Sequence, residues 1–270
     1  MQKLGQHFLK NAAILQEIAD AVDVKKGETV IEVGPGHGEL TVPLLQTAEH
    51  SEGRVIAIEK DRSLIAPLDA LGKKGGSDLF TIIEGDALEL LPDIVGKLHQ
   101  YRYRIAGNIP YYITGKLLRV ISELERKPER VVLLIQREVA ERICAAPPAM
   151  NRLAASVQFW AEPKIVMFVS KEDFLPPPDV DSAVIILDPK KIAAKNRATI
   201  ADGAYYKAVR AIFAQPRKTL LNNLSSMSGG NVSKGDIAGH LTSIGIAPGA
   251  RPQDLDIGQI IAIANAPLWG

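Results

Sequence analysis

Short apolar runs alternate with amphipathic stretches along the first half of the chain. The stretches near 39–47, 61–71, 114–124 and 137–145 have apolar positions three or four residues apart, which predicts helices. Alternation of this kind predicts βαβ units and a parallel sheet with helices on both faces. The runs that predict strands are Thr29–Val33, Arg54–Ile58, Leu79–Ile83, Arg104–Gly107 and Val131–Ile135.

Two further patterns flank this array. At the start, Asn11 is placed to cap an amphipathic helix whose apolar stripe includes Ile18. Later, Lys164–Val169 and Ser182–Leu187 are strand candidates separated by a proline-rich loop, 174–178. A hairpin at one edge of the sheet fits these two runs.

The last part of the chain has a different organisation. After a linker predicted over Lys190 to Arg197, helical patterns occupy about 203–214, 217–227, 234–244 and 256–265. The sequence therefore predicts an α/β, Rossmann-like domain over residues 1–188 and a small all-α C-terminal domain over 189–270.

Composition narrows the class of protein. The 270 residues are 46% hydrophobic, which suffices for a full core. No apolar run reaches the roughly 18 residues of a membrane span, and the first residues do not resemble a signal peptide, so a cytoplasmic protein without a membrane partner is expected. Cys144 is the single cysteine, and the histidines show no metal-ligand spacing, so no metal site is predicted.

Charge is distributed unevenly along the chain. Residues 189–270 contain ten Lys and Arg against four Asp, a net +6, while the whole chain is only +1, which leaves −5 for residues 1–188. A basic appendage on an acidic body is typical of a nucleic-acid-binding protein, because phosphate neutralisation dominates affinity. The alternative is a solvated face that has no partner.

A glycine-rich turn follows the first long strand. Gly34, Gly36 and Gly38 are spaced differently from a dinucleotide-binding G-x-G-x-x-G motif, and Glu39 disfavours a pyrophosphate at the helix that follows. A cationic cofactor without phosphate fits better. S-adenosylmethionine is such a molecule, with Glu32 placed to face its positive groups and glycines 34 and 36 permitting close approach. The alternative is an ordinary strand-to-helix turn.

Acidic residues follow the next two strands. Glu59 ends the second strand, where nucleotide-binding α/β folds place a carboxylate on the ribose hydroxyls. Asp86, followed by Ala87, comes after the third strand and could accept a hydrogen bond from the adenine amine of the cofactor. Each alone could be a solvated acid at a strand end, but together they favour a cofactor pocket.

The segment Asn108-Ile109-Pro110-Tyr111 predicts chemistry on an amino nitrogen. The Asn108 side-chain oxygen and the carbonyl of Ile109 or Pro110 can accept both N–H bonds of a nucleobase amine and pull its nitrogen towards tetrahedral geometry. Tyr111 offers a flat face for stacking. The alternative is a simple turn at the end of a buried strand.

Taken together, these segments resemble the ribosomal RNA adenine dimethyltransferases, the family of the bacterial small-subunit enzymes and their Dim1 relatives. The resemblance covers essentially the whole chain, and its most specific mark is the long segment from Phe174 to Val184. The other marks are the segments Leu4 to Leu9, Val30 to Gly36, Gly107 to Tyr111 and Phe213 to Leu224.

The resemblance implies transfer of four methyl groups from S-adenosylmethionine to the N6 atoms of two adjacent adenosines in the 3′-terminal hairpin of small-subunit rRNA. The partner would be a 30S-type assembly intermediate, and the enzyme a monomer. Asn108, Pro110 and Tyr111 would hold the target base and Phe174 would stack on its other face. The implied cofactor contacts are His7, Leu9, Glu32, Gly34, Gly36, Glu59, Asp86, Ala87 and Asn108.

Some positions depart from the commonest family pattern. His7 replaces a frequent Asn, which leaves open whether its side chain or its backbone meets the cofactor. Pro216 replaces a usually basic residue and could begin the next helix, while Arg217 and Lys218 remain the expected RNA contacts. Two alternatives stay open: another adenine-N6 methyltransferase, of the erythromycin-resistance type or acting on DNA, and a non-catalytic assembly or transcription factor.

Overall fold

The computed structural model describes residues 7–74, 79–99, 101–189, 200–227 and 232–266. Its first unit, residues 1–140 with 163–189, is built on a seven-stranded sheet of order β4-β3-β2-β5-β6-β9-β7. The strands of this sheet are β2 (Thr29–Val33), β3 (Arg54–Glu59), β4 (Phe80–Glu84), β5 (Tyr103–Asn108), β6 (Val131–Gln136), β7 (Ala161–Val169) and β9 (Ser182–Pro189).

In this sheet the neighbouring strands β4, β3, β2, β5 and β6 pair in parallel, and β9 pairs antiparallel with β6. Every residue of β2 is buried, as expected for a strand covered on both faces. Because β2 pairs with both β3 and β5, the direction of winding reverses beside it. Ligands of open α/β sheets bind at such a point, beyond the carboxyl ends of the strands.

Helices connect the strands as the alternation predicted, with one addition. The helix α4 was not predicted from the sequence. The helices of this part are α1 (Ala12–Val22), α2 (Thr41–His50), α3 (Arg62–Lys74), α4 (Ala87–Lys97), α5 (Thr114–Glu123) and α6 (Arg137–Ile143).

The N-terminal helix α1 is capped as predicted. The Asn11 side chain accepts hydrogen bonds from the backbone N–H groups of Ala13 and Ile14. The stripe of α1 packs with α2 and one face of the sheet in a single apolar cluster that includes Ile18 and Leu44, both fully buried. This packing fixes the segment that precedes α1, which reaches the site described below.

A two-stranded β-ribbon holds the segment before α1 in place. Strand β1 (Phe8–Leu9) pairs antiparallel with β8 (Phe174–Leu175), so Leu9 lies opposite Phe174. Two residues are too few to give a periodic signal, and the sequence did not predict this pairing. The larger hairpin prediction fits, because β9 and β7 are neighbours at one edge of the sheet.

The second compact unit comprises residues 141–162 and 190–270, so residues 141–162 group with the C-terminal helices although the predicted first domain ran to 188. Phe159 explains this grouping: its ring stacks on Tyr205 at 3.8 Å between centroids, and the Tyr205 hydroxyl donates to the Ala155 carbonyl. The helices of this unit are α7 (Arg152–Gln158), α8 (Asp202–Ile212), α9 (Leu220–Met227), α10 (Lys234–Ser243) and α11 (Ile257–Ala264).

The Rossmann-like sheet and the all-helical C-terminal part are therefore confirmed, with α7 as an additional short helix. The predicted linker over Lys190 to Arg197 and residues Leu4 to Gln6 lie outside the described residues. Within the described ranges, no helix is both long enough and apolar enough to cross a bilayer.

Candidate active site

A cavity lies at the carboxyl ends of β2, β3 and β5, the place that the topology predicts for a ligand. Its wall includes most of the predicted site residues, which come from separate strand ends and from the segment before α1. The predicted residues in this wall are His7, Gly34, Gly36, Glu59, Asp86, Ala87, Asn108, Pro110 and Tyr111.

The backbone of the glycine-rich turn forms part of the cavity wall. Gly34 and Gly36 have φ angles of +70° and +61°, which side chains disfavour. A Cβ at Gly36 would lie 2.8 Å from a ring carbon of Phe8, so a larger residue there collides with the cavity wall. The turn therefore needs glycine for both its conformation and its space, in agreement with a close cofactor approach.

Glu32 lies beneath the turn and is 1% exposed. One oxygen accepts a hydrogen bond from the Thr41 hydroxyl at 2.7 Å, and the other, Oε1, has no partner among the described residues. Burial is the main cause that raises the pKa of Glu32 to about 8; the Thr41 hydrogen bond opposes this rise, and the charges of Glu59 and Glu39 contribute to it. An unpaired buried carboxyl group next to the cavity fits a cationic ligand.

Glu59 holds the glycine turn from the next strand. Its Oε2 accepts from the backbone N–H of Gly36 at 3.1 Å, and its Oε1 accepts from the backbone N–H of Asp61 at 2.8 Å. Each carboxylate oxygen can accept a second hydrogen bond, so the side chain is positioned and still able to receive hydroxyl protons.

Asp86 is the N-cap of α4, and its Oδ1 accepts from the backbone N–H of Leu88. Its Oδ2 pairs with Lys60 at 2.8 Å. Burial raises its pKa, but the hydrogen bonds from Lys60 and Leu88 outweigh burial and leave the pKa below its ordinary value. Asp86 is thus ionised at neutral pH, and Ala87 opens the helix beside it.

Asn108 ends β5, and its Nδ2 donates to the carbonyl of His7 at 3.1 Å. Because a carbonyl can only accept, this bond assigns the amide nitrogen to the His7 side and directs the Oδ1 acceptor away from it. The His7 backbone is therefore occupied by Asn108, while the His7 ring bonds the Pro176 carbonyl at 2.9 Å.

The carbonyl of Pro110 already accepts from the backbone N–H of Ile113 at 3.1 Å. Outside the hydrogen bonds within helices and strands, no described backbone N–H donates to the carbonyl of Ile109. Of the two carbonyls that the sequence left open, Ile109 is thus the better second acceptor for a substrate amine.

Tyr111 begins a turn of 3₁₀ helix (Tyr111–Ile113) and faces the cavity. Its hydroxyl forms a 2.7 Å hydrogen bond with Ser182, the first residue of β9. Burial raises the pKa of Tyr111. The His7 ring lies 6.1 Å away at an interplanar angle of 24°. Ser182 thus fixes the ring that is predicted to stack on the target base.

Three predicted site residues, Glu32, Leu9 and Phe174, are not part of the cavity wall. Phe174 is 4% exposed and packs in the apolar cluster of the first unit together with Leu9. Their pairing across the β1–β8 ribbon turns both side chains towards the core. In this arrangement Phe174 does not present a face to the cavity, and its predicted stacking role stays a prediction.

The expected RNA contacts belong to the second unit. Arg217 and Lys218 are exposed in the turn between α8 and α9. Pro216 lies in that same turn, and the next helix begins only at Leu220, so the prediction that Pro216 starts a helix was wrong. Asn223 orders the turn, because its side chain bonds both the N–H and the carbonyl of Gln215.

Sequence reasoning missed several side chains of the cavity wall, among them three that are charged or aromatic. Lys60 and Lys116 contribute positive charge there, and Tyr112 is 62% exposed beside them. Lys60 could have been suspected from its position next to Glu59, but only the fold brings it to Asp86. Among the described residues, no group of His, Cys, Asp or Glu is arranged to hold a metal ion.

Comparison with known proteins agrees with this geometry. Residues 1–266 match the family described as ribosomal RNA adenine dimethylase. Ribosomal RNA small subunit methyltransferase A of Dehalococcoides mccartyi strain CBDB1 is 40% identical, over 94% of this chain and 84% of the relative. The protein of the same name from Geobacillus kaustophilus is 35% identical, over 100% and 92% of the two chains.

Solved structures give the same result. A dimethyladenosine transferase from Plasmodium falciparum has a TM-score of 0.79 and 26% identity, over 95% of this chain and 96% of the other. The 23S rRNA methyltransferase ErmE has a TM-score of 0.70 at 22% identity, over 95% and 98%, which shows a shared fold. With a cavity at the predicted strand ends and a match along nearly its whole length, the chain belongs to the ribosomal RNA adenine dimethylase family.

Proposed function

We propose that this protein is an S-adenosylmethionine-dependent methyltransferase that dimethylates N6 of adenosines in small-subunit rRNA. The observation that supports it best is the Asn108–Ile109 pair, where the fixed side-chain oxygen and the backbone carbonyl are both available to accept at the cavity. Relatives named small subunit methyltransferase A point to the substrate.

The chain's own residues would act by positioning. Asn108 and the Ile109 carbonyl accept hydrogen bonds from the two N–H groups of the amine, which draws the nitrogen lone pair out of conjugation with the ring. Tyr111, held by Ser182, supports the base from one face. The N6 proton can leave after transfer, so no dedicated general base is needed. The target adenosine must be unpaired or flipped out, and a hairpin loop makes that inexpensive.

The cofactor site has the properties that S-adenosylmethionine requires. Glu59 would accept hydrogen bonds from the ribose hydroxyls, and Asp86 would accept one from the adenine amine. The buried Glu32 would face the cationic end of the cofactor. Gly34 and Gly36 leave room for the ligand against the backbone. When bound, the sulfonium supplies the methyl group as an electrophile.

The finer assignment follows the family resemblance. Two adjacent adenosines of the 3′-terminal hairpin would each receive two methyl groups, on a 30S-type assembly intermediate, by a monomeric enzyme. Arg217 and Lys218 would bind the RNA backbone. For Phe174 to stack on the target base, its ring would have to leave the core.

The test is methyl transfer from radiolabelled S-adenosylmethionine to unmethylated small subunits, large subunits and duplex DNA in parallel. Label recovered as N6,N6-dimethyladenosine from small subunits alone is the expected result. Label on large subunits or DNA would favour an erythromycin-resistance-type or DNA enzyme. Tight small-subunit binding without label would favour a non-catalytic assembly factor.

A further inference from the structure

An exposed aromatic ring lies on the outer strand of the sheet, away from the cavity wall. Phe168 is 52% exposed and Val166 is 39% exposed, and both project from the same side of β7 as Lys164. Phe168 is therefore an aromatic ring presented to solvent at the edge of the sheet.

Arg137 packs against this ring. Its guanidinium carbon lies 4.5 Å from the centroid of Phe168, within the range of a cation–π interaction. Arg137 is itself exposed. The pair therefore offers an aromatic face of restricted orientation with a positive charge beside it, a combination that RNA-binding proteins use to stack unpaired bases.

The pair is connected to the active site through two neighbouring strands. Arg137 directly follows β6, and its backbone N–H donates to the carbonyl of Asp181 at 3.0 Å. The next residue, Ser182, lies opposite Gln136 and bonds the Tyr111 hydroxyl. The residue that holds Tyr111 and the residue that anchors Arg137 are thus adjacent in the chain.

We propose that Phe168 and Arg137 form a second base-stacking site, which holds an unpaired nucleotide near the target adenosine. This inference rests on the proposed function, because it assumes an RNA substrate at the cavity. A base stacks on the exposed surface of Phe168, while Arg137 restrains the ring from its other side and provides charge for the phosphate backbone.

Pairing of β7 with a second copy of the chain is the competing use of this edge. Lys164 lies on the same strand, and lysine on an edge strand is a feature that discourages strand-to-strand association. A single-stranded RNA needs no backbone ladder and tolerates this lysine, which favours RNA as the occupant.

The first experiment measures KM and kcat for unmethylated small subunits. Loss of one stacked base, worth about 1–3 kcal/mol, corresponds to a rise in KM of about 5- to 150-fold for Phe168→Ala. Phe168→Leu keeps an apolar side chain and should lose most of this affinity, whereas Phe168→Tyr should retain it. Val166→Ala on the same strand is the matched control and should stay within about twofold of the wild type.

Two further readouts separate stacking from a structural role. Affinity for S-adenosylmethionine and the melting temperature should be unchanged in all four variants, and a KM effect with altered melting would overturn the proposal. A photoreactive benzoylphenylalanine at position 168 should crosslink to rRNA in irradiated small-subunit complexes. Crosslinking only to protein, to a second copy of the chain, or to nothing would contradict it.

Failure of the two proposals can be told apart. If the wild type transfers no methyl group to small subunits, the proposed function fails. If the wild type is active and Phe168→Ala has the same KM, the function stands and the stacking site is wrong.

Discussion

At the scale of single residues, Asn108 carries the largest expected effect on the reaction. Its amide is oriented by the bond to the His7 carbonyl, so replacing it removes both this tether and one acceptor for the substrate amine. We predict that Asn108→Ala lowers the single-turnover rate by about 10²–10³-fold, the size typical of losing one preorganised hydrogen-bonding group in a transition state.

RNA affinity of Asn108→Ala should stay within a few-fold of the wild type in a filter-binding assay. Tyr112→Ala provides a control, because Tyr112 is exposed at the same cavity and has no place among the two acceptors. Transfer by Asn108→Ala at a rate close to that of the wild type would rule out the role assigned to this amide.

Glu32 makes stability and cofactor binding depend on pH. Its pKa rises from an ordinary 4.5 to about 8 on burial, so between these values the folded state binds one more proton than the unfolded state. The stability contribution is therefore fully present below about pH 4.5 and declines by about 1.4 kcal/mol per pH unit as pH rises towards 8. Glu32→Gln should remove this slope in denaturant titrations at several pH values.

A cation bound beside Glu32 lowers its pKa, which couples binding to proton release. S-adenosylmethionine binding to the wild type at pH 7 should release close to one proton, measured by calorimetry in buffers of different ionisation enthalpy. Glu32→Gln should release none. Equal proton release by the two proteins would show that Glu32 does not face the cofactor.

At the scale of elements, an ion pair joins the starts of β2 and β5 to the end of α1. Arg104 bonds Glu28 and also donates to the carbonyl of Val22 at 2.8 Å, and both charged side chains are buried. Removing one partner of a buried pair leaves an uncompensated charge, so Arg104→Leu should lower the free energy of unfolding by about 3–5 kcal/mol. The double variant Arg104→Leu/Glu28→Gln should recover part of this loss in the same denaturant titration, and a double variant less stable than the single would contradict the explanation.

Substitutions of Phe174 in the β1–β8 ribbon distinguish a role in core packing from a role in base stacking. As a core residue, Phe174→Ala should cost about 3–5 kcal/mol of stability, while Phe174→Leu should cost less than about 1.5 kcal/mol. If Phe174 only packs, the leucine variant keeps its kcat. A fall in kcat for Phe174→Leu without a matching loss of stability would restore the stacking role that the resemblance implies.

The elements also show which features a sequence can reveal. Thr29–Val33 was predicted with both ends correct, because its β-branched apolar residues Val30, Ile31 and Val33 are typical of a strand buried on both faces. Helix α4 was missed, and the β1–β8 ribbon was not predicted because two residues are too few to give a periodic signal. Within the site, strand-end positions identified Glu59, Asp86 and Asn108 as neighbours, since parallel strands bring their ends together. The burial of Phe174 could not be read, because it depends on a partner 165 positions away in the chain, Leu9.

At the scale of the whole molecule, the charge asymmetry predicts that the two parts of the chain contribute to RNA affinity in different ways. Residues 189–270 carry +6 against −5 for the rest, so the salt-dependent part of affinity should reside in the helical unit. Stacking at Tyr111 and Phe168 involves uncharged rings and should respond little to salt. The proposed function thus predicts that different variants weaken RNA binding in physically different ways.

Arg217→Ala/Lys218→Ala tests this division. Both side chains are exposed in the ordered turn between α8 and α9, and removing one charge that neutralises a phosphate should reduce the slope of log affinity against log salt by about 0.7–0.9. We expect weaker small-subunit binding at every salt concentration, a slope reduced by about 1.4–1.8, and an unchanged affinity for S-adenosylmethionine. Lys234→Ala, a neighbouring charge that contacts Asn222, is the matched control and should leave the slope nearly unchanged. A double variant with the wild-type slope would place the RNA-backbone contacts elsewhere on the molecule, because a fall in affinity without a change in slope cannot come from phosphate neutralisation.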